Sequence, residues 1–415
     1  MNNNSRATNP ESRVPTEYDI IIIGGGLVGA SLACALAASR ARIAVVEAVP
    51  PRAVEQPSYD DRALALSASS KNILESIKVW PSLSAYVCPI SSIHVSDRGH
   101  FGFVRLHARD IGTEELGYVI TARELGRALN TVITGHANID FYCPVKTEEV
   151  NIETDWISVK LISEGKSLTL RGRLLAAADG ARSDTCRRLG IPVRNKEYGQ
   201  TAIIANISTQ KPHDHVAYER FTESGPLALL PLPDHRCKMV FTVRTDQADF
   251  YMQMEDAKFL AAAQERFGRR LGRFTRVGDR SSYPLMLLEA ERQLGERVVL
   301  LGNAAHTIHP NGAQGLNLCL RDVAALAANL VPALENHADP GDPLVLEKYL
   351  SGRLDDQRHI IRFTDGLASL FYNQEPFKVL VRNSGMIMMD LFPALKRKLL
   401  SVTMGMSSNW TAMAR

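Results

Sequence analysis

Three glycines, Gly24, Gly26 and Gly29, fall at the G-x-G-x-x-G spacing between the apolar run "YDIIII" and the alanine-rich "LVGASLACAL". In such a turn the first glycine permits the tight bend and the second lets a pyrophosphate approach the backbone. The third lets the helix pack closely on the strand. Leu27 and Val28 open that helix, whose N–H groups and dipole favour a phosphate. Glu47 ends the next apolar run, "ARIAVVEA", about twenty residues on, where a carboxylate can accept hydrogen bonds from ribose hydroxyls. It would also repel a 2′-phosphate. Strand, glycines, helix, strand and acid in this order point to a bound dinucleotide other than NADP.

Two later stretches also carry chemistry-bearing types: "AAADGARS" (176–183) and "LLGNAAHTIHPNGAQGLNLCLRD" (300–322). Asp179-Gly180 alone reads as a turn. His306 and His309 could share a helix face and a metal, but Pro310 breaks any helix there, and no further Cys, His, Asp or Glu completes a site. No nucleophile elbow is present, which excludes that route to hydrolysis. The six cysteines are scattered without a C-x-x-C pair, against zinc, an iron–sulfur cluster or a disulfide framework and in keeping with a reducing cytosol.

The elements that must position these residues alternate in character. Residues 17–48 read as a βαβ start, and "DDRALALSASSKNILESIKVW" as a loop entering a helix. "ISSIHVSDRGHFGFVRLHA" reads as a strand pair turning near Arg98-Gly99. "TARELGRALNTVI" is a helix with Thr121 and Glu124 as its capping box. A β-meander from "IDFYCPV" ends in the buried "GRLLAAADGARS". Short alternating strands over 198–285 suggest a second sheet, "RVVLLGNAAH" returns to a buried strand, a glycine-opened helix follows, and the tail from about 341 is helical. The expected division is a disordered tail at 1–16 and a discontinuous dinucleotide-binding domain at 17–90, 119–190 and 286–340. A β-sheet substrate domain takes 91–118 and 191–285, and a helical region 341–415. The chain of 415 residues has 45% hydrophobic and 22% charged residues and a net charge of +3, an ordinary globular balance that gives no reason to expect nucleic acid. With no apolar run of about eighteen residues, the expectation is a cytoplasmic protein, with association at the inner face of the membrane left open.

The glycine fingerprint, "DDRALALS" (60–67), "AAADGARS" and "LLGNAAHTIHPNGAQGLNLCLRD", in this order, resemble the class A flavoprotein aromatic hydroxylases of the para-hydroxybenzoate hydroxylase type. Within that group "VSDRGHFGFV", "YERFTESGPLALLPL" and "LLGNAAHTIHP" resemble the ubiquinone-biosynthesis hydroxylases of UbiH type. The resemblance implies an α/β, Rossmann-like FAD-binding domain interleaved with a β-sheet substrate domain and closed by a helical C-terminal region. It implies bound FAD, NAD(P)H as a transient reductant without a second glycine fingerprint, and O2 as co-substrate. It carries Gly302 and Asn303 to the flavin ribityl chain, where the family usually has Asp at position 303; Asn can still donate to and accept from hydroxyls. Gly312, Gly315, Leu316 and Asn317 open a helix toward flavin N1/O2, and Pro310 lies beside the reactive carbon, so Pro310, Gly315, Leu316 and Asn317 stand nearest the chemistry. Arg62 and Asp179-Gly180 fall near the FAD phosphates, and Arg123 at the start of a later helix; surface arginines and a plain turn are the bland alternatives. The implied substrate is a polyprenylated phenol, 2-polyprenyl-6-methoxyphenol, oxidised to the 1,4-benzoquinol. Phe221, Leu229, Leu230 and Pro231 would line its pocket or be plain sheet core. No base for the phenol is identified. Other ubiquinone-biosynthesis proteins are implied as partners. The tail "FKVLVRNSGMIMMDLFPALKRKLLSVTMGM" would contact lipid or a partner, or simply close the fold. A NAD-dependent dehydrogenase leaves the two later motifs unexplained, and a non-catalytic scaffold would not need "HPNGAQGLN" intact.

Overall fold

The computed structural model describes residues 16–50, 63–372 and 375–405. Thr16–Ile23 lies at the centre of the first sheet, parallel to Ile43–Val46 on one side and to Lys166–Ala177 on the other. Val298–Leu300 continues the parallel set beyond Lys166–Ala177, and Ile139–Tyr142 beyond Ile43–Val46. Side chains alternate: Ile20, Ile22, Val45, Leu174 and Ala176 face one side, and Ile21, Ile23, Val46, Leu175 and Ala177 the other. Both sides are covered, which is why these strands are apolar at every position. The helices Leu27–Leu36 and Gly315–Glu335 pack together over the first side. Lys146–Ile152 and Ile157–Ser163 extend Lys166–Ala177 as an antiparallel meander.

Among the described residues the second sheet has nine strands. Val193–Thr209 pairs with Ser281–Ala290 and with Arg236–Arg244; beyond these follow Gly225–Leu232, Val216–Thr222, Ser92–Asp97 and Phe103–His107. One face buries Ile203, Leu227, Leu229, Met239 and Phe241 beneath the helix Asp256–Phe267. The other turns toward the loop at 306–314 and the C-terminal helices Pro343–Tyr372 and Pro376–Leu391.

The structure departs from the sequence reading in four places. "ALALS" is a strand, Ala63–Ser67, in a small sheet with Gly117–Thr121 and Cys88–Ile90, because its alternate residues pair there instead of forming a loop. Ile139–Tyr142 joins the parallel sheet and not the meander. Thr121 caps its helix through Glu124 N–H, but the Glu124 carboxylate turns to Arg127, so the reciprocal half of the box is not made. Among the described residues the helix at Asn311–Glu335 is long and apolar enough to cross a bilayer, but its apolar window is mostly buried. It is the central core helix, and carries Arg321 and Asp322 buried in its length.

Candidate active site

The glycine turn is built by backbone crowding. Gly24 has φ +100°, and a Cβ there would lie 2.4 Å from the carbonyl oxygen of Ala178, the residue that follows the neighbouring strand. A Cβ on Gly29 would lie 1.9 Å from the carbonyl oxygen of Gly24, so the helix sits against the turn at a distance that only glycine allows. Gly26 is the N-cap of Leu27–Leu36, and neither it nor an acid in the first turn offers a side chain to the helix start at Leu27 and Val28. Glu47 reaches back to the turn: Oε2 accepts from Gly25 N–H at 2.8 Å and Oε1 from Val49 N–H at 2.8 Å. At Gly302, φ +61°, an added Cβ would meet the Val28 side chain at 3.0 Å, which brings the "LLGN" turn onto the helix start.

The loop from His306 to Gln314 is fixed from behind. His306 Nε2 meets Asp322 Oδ2 at 2.8 Å, and Asp322 Oδ1 accepts from Arg353 at 2.7 Å and Gln357 at 3.0 Å. Burial alone would raise the Asp322 carboxyl, but Arg353 and His306 outweigh it and hold it at about 2. His309 is buried, which pushes its imidazole down to about 4 and keeps it neutral; its Nδ1 accepts from Asn311 N–H, and its ring stands edge-on to Tyr198. The two histidines therefore take different protein partners. Gly312 and Ala313 both adopt left-handed backbone, φ +65° and +51°, which for alanine costs about 1 kcal/mol. Gly315–Glu335 then starts with no side-chain cap and no acid in its first turn. Leu27, Val28 and Leu316 pack in one apolar cluster, so two bare helix N-termini lie on the same side of the first sheet.

Those two starts suit a ligand with a negative charge at each, a pyrophosphate and a reduced isoalloxazine. The Asn311 Oδ1 and Gln314 Oε1 acceptors are buried without a hydrogen-bond partner among the described residues, which a ligand bringing N–H or O–H groups would satisfy. The residues present fit FAD.

Asn317, expected at the flavin, spends its whole side chain on protein. Oδ1 accepts from Ser67 N–H and Ser70 Oγ at 2.8 and 2.7 Å, and Nδ2 donates to the carbonyls of Ala65 and Ala313. It pins the helix start to the strand Ala63–Ser67, and only its backbone is free to face a cofactor. Asp179 likewise accepts from Ser183 Oγ and from Thr185 N–H and Oγ1, closing a turn at Gly180 (φ +87°) before the short helix Asp184–Arg188. Asn303, Pro310 and Gly312 are exposed. Arg123 is exposed on Ala122–Thr134, and Arg62 lies outside the described residues.

Across from the loop, strand register sorts the pocket candidates. Phe221 lies opposite Pro226 and stacks on Phe371 with centroids 3.5 Å apart; with Leu230 it faces the loop and the C-terminal helices. Leu229 points to the opposite face and packs in the core beneath Asp256–Phe267, and buried Pro231 has the same phase. A narrow crevice runs between Phe221, Pro226, His309, Asn311, Phe371 and Tyr372. Glu219, in phase with Ala217 and Phe221, faces the same side, half-buried, opposite Ala228 and beside Val95. The Gly312 amide acts on its carboxylate and lowers it, yet burial dominates and pushes the carboxyl up to about 7. The sequence reading passed over this residue. Its signal was there: "VAYERFT" places one charged side chain in the phase that otherwise holds alanine and phenylalanine.

The FAD binding domain family matches residues 17–364. Ubiquinone hydroxylase UbiL of Rhodospirillum rubrum is 35% identical over 93% of this chain and 89% of its own length. The 3-demethoxyubiquinol 3-hydroxylase of Escherichia coli is 29% identical over 94% of this chain and 99% of its own. Among solved structures, p-nitrophenol 4-monooxygenase PnpA from Pseudomonas putida DLL-E4 superposes with a TM-score of 0.80 over 95% of this chain and 100% of that one; at 17% identity this speaks to the fold alone. The crowded glycine turn, the two bare helix starts and a match over most of the chain lead to one conclusion: this protein belongs to the FAD binding domain family, and FAD is the dinucleotide it holds.

Proposed function

We propose that this FAD-dependent monooxygenase hydroxylates the aromatic ring of a polyprenylated phenol in ubiquinone biosynthesis, converting 2-polyprenyl-6-methoxyphenol to the 1,4-benzoquinol with NAD(P)H and O2. The observation that carries the reading is the apolar sheet face with the Glu219 carboxylate, set against the loop at His309–Gly312. Its support from relatives is the likeness to UbiL and to the 3-demethoxyubiquinol 3-hydroxylase. The latter also favours a second reading, the same chemistry at another ring position.

Bound FAD supplies the chemistry that NAD(P)H reduction and O2 make available; the chain supplies placement, charge and dryness. The first-turn N–H groups of Leu27 and Val28 would hold the pyrophosphate, and Glu47 the ribose. Gly302 and Asn303 would flank the ribityl chain, and the N–H groups of Gly315, Leu316 and Asn317 the anionic end of the reduced ring. Asp179-Gly180, and Arg62 and Arg123 by the family pattern, complete the candidate cofactor contacts. Phe221, Phe371 and Pro226 exclude water from the ring, which protects the oxygen-transfer step from hydrolytic loss.

The prenyl tail would leave the crevice by Tyr372, which is exposed, toward the helix Pro376–Leu391. That helix shows Phe377, Leu380, Val381, Met388 and Leu391 on one exposed face, and Phe392, Arg397 and Lys398 follow, also exposed. An apolar stripe with basic neighbours fits an anionic lipid surface. Docking there would spare the tail a full transfer to water, at about 0.8 kcal/mol per CH2.

The test is the quinone-intermediate profile of cells lacking this chain. Accumulated 2-polyprenyl-6-methoxyphenol with little ubiquinone supports the first reading. A differently substituted ring moves the reaction to the second, and an unchanged profile refutes both.

A further inference from the structure

Oxygen transfer to a phenol is fastest when the ring is a phenolate, because the oxygen anion pushes electron density to the ring carbons. Such a site therefore needs a group to take the phenolic proton. On the face that meets the loop, the candidates are few. Phe221, Pro226, Ala228, Val240 and Ile204 carry no base. His309 is buried with its Nδ1 engaged by Asn311 N–H and Nε2 turned to Gln200. Tyr198 donates to Asp365, which Lys196 also holds. Asp97 on the adjacent strand is taken by Arg382 and Asn383. Glu219 alone has no hydrogen bond or ion pair to another side chain among the described residues, and the Gly312 amide acts on it from the loop beside which the ring must lie.

We propose, resting on the hydroxylase reading above, that Glu219 is the general base of the reaction: its carboxylate receives the proton of the substrate's phenol. The phenol O–H bond breaks, the electron pair stays on the phenol oxygen, and the proton forms an O–H bond on Glu219. When oxygen has been added, the ring carbon gives up its hydrogen as a proton and aromaticity returns. Glu219 releases its proton to water before the next turnover, so the residue is unchanged over the cycle; O2 and NAD(P)H remain the only oxidant and reductant.

Position favours this role over a merely structural one. A carboxylate needed only to anchor the loop would be satisfied by the Gly312 amide and could be neutral throughout. One that is half-buried on an apolar face, with burial raising it and no charged side chain acting on it, is poised to gain and lose a proton near neutrality. The charged groups nearest it are otherwise occupied or distant. Asp97 and Asp365 are paired as described, His309 is neutral, His94 on the adjacent strand has the opposite phase and is held neutral at about 4, and Lys238 lies across Leu230, two strands away.

The experiment uses the FAD-loaded full chain with a short-chain probe, 2-methoxy-6-prenylphenol. In the wild type, product formation should rise as pH passes about 7, where the Glu219 carboxylate gives up its proton, some three units below the free phenol, whose pKa resembles that of tyrosine at about 10. Glu219→Gln, which keeps an acceptor for the Gly312 amide, should retain FAD and lower the rate of hydroxylated product about 100-fold. Its limb should move to the alkaline range, and Glu219→Asp should restore part of the rate. A FAD-loaded E219Q with wild-type rate and pH profile overturns the proposal and leaves the hydroxylase reading standing. If E219Q loses FAD, the wild-type pH profile decides: product formation rising only near the free-phenol pKa overturns the proposal. A FAD-loaded wild type that makes no product from the probe overturns the reading and the base together.

Discussion

At the scale of single residues, polar side chains here hold the loops of the candidate site through bonds to protein. Asn317 binds two donors and two carbonyls that are otherwise buried, so Asn317→Ala leaves several of them unpaired. The expected loss is about 2–4 kcal/mol, seen as a lower Tm in the flavin-free protein and weaker FAD retention. Asp322 answers to Arg353, Gln357 and His306 at once, and Asp322→Asn should cost about 3 kcal/mol because it strips Arg353 of a buried counter-charge. Since its folded carboxyl sits at about 2, below the ordinary aspartate value of about 3.9, its contribution is complete above that ordinary value and is lost as pH falls toward 2. Acid unfolding followed by circular dichroism should show the wild type losing its advantage over D322N across that window. An unchanged gap down to pH 2 would contradict the pairing.

Among elements, the contact between the first strand and the first helix is the most demanding. Gly29→Ala puts a methyl group inside the van der Waals radius of the Gly24 carbonyl, so the helix must move away and the pyrophosphate seat with it. Expressed G29A protein should carry less than a tenth of the wild-type flavin, measured by absorbance against protein concentration. The crowded turn was legible in the sequence because backbone crowding can be met only by glycine at fixed spacing. The parallel strands were legible too, since burial on both sides leaves an uninterrupted apolar run. What was hidden depends on register between distant segments. Leu229 and Leu230 are adjacent and both apolar, yet the sheet sends one to the core under Asp256–Phe267 and the other toward the pocket. Glu219 gains meaning only when Gly312, far along the chain, is folded onto it. Likewise "ALALS" became a strand by pairing with Gly117–Thr121.

At the scale of the whole molecule, a FAD-binding half, a sheet that offers an apolar face, and a C-terminal helix with an outward apolar stripe would, in the proposed function, form one path from lipid to ring. Replacing Phe377 and Leu391 by Ser should weaken co-sedimentation with phosphatidylglycerol-containing vesicles about tenfold. Turnover of the short-chain phenol should be unaffected. Vesicle binding equal to the wild type would assign that surface to a protein partner. The central claim is oxygen transfer from O2 to a phenol ring on this chain. It is tested most directly by supplying the purified, FAD-loaded protein with NAD(P)H, 18O2 and a prenylated methoxyphenol, and weighing the product. One labelled oxygen atom on the ring for each product molecule is the predicted result; NAD(P)H consumed with hydrogen peroxide formed and the phenol recovered unchanged would contradict it.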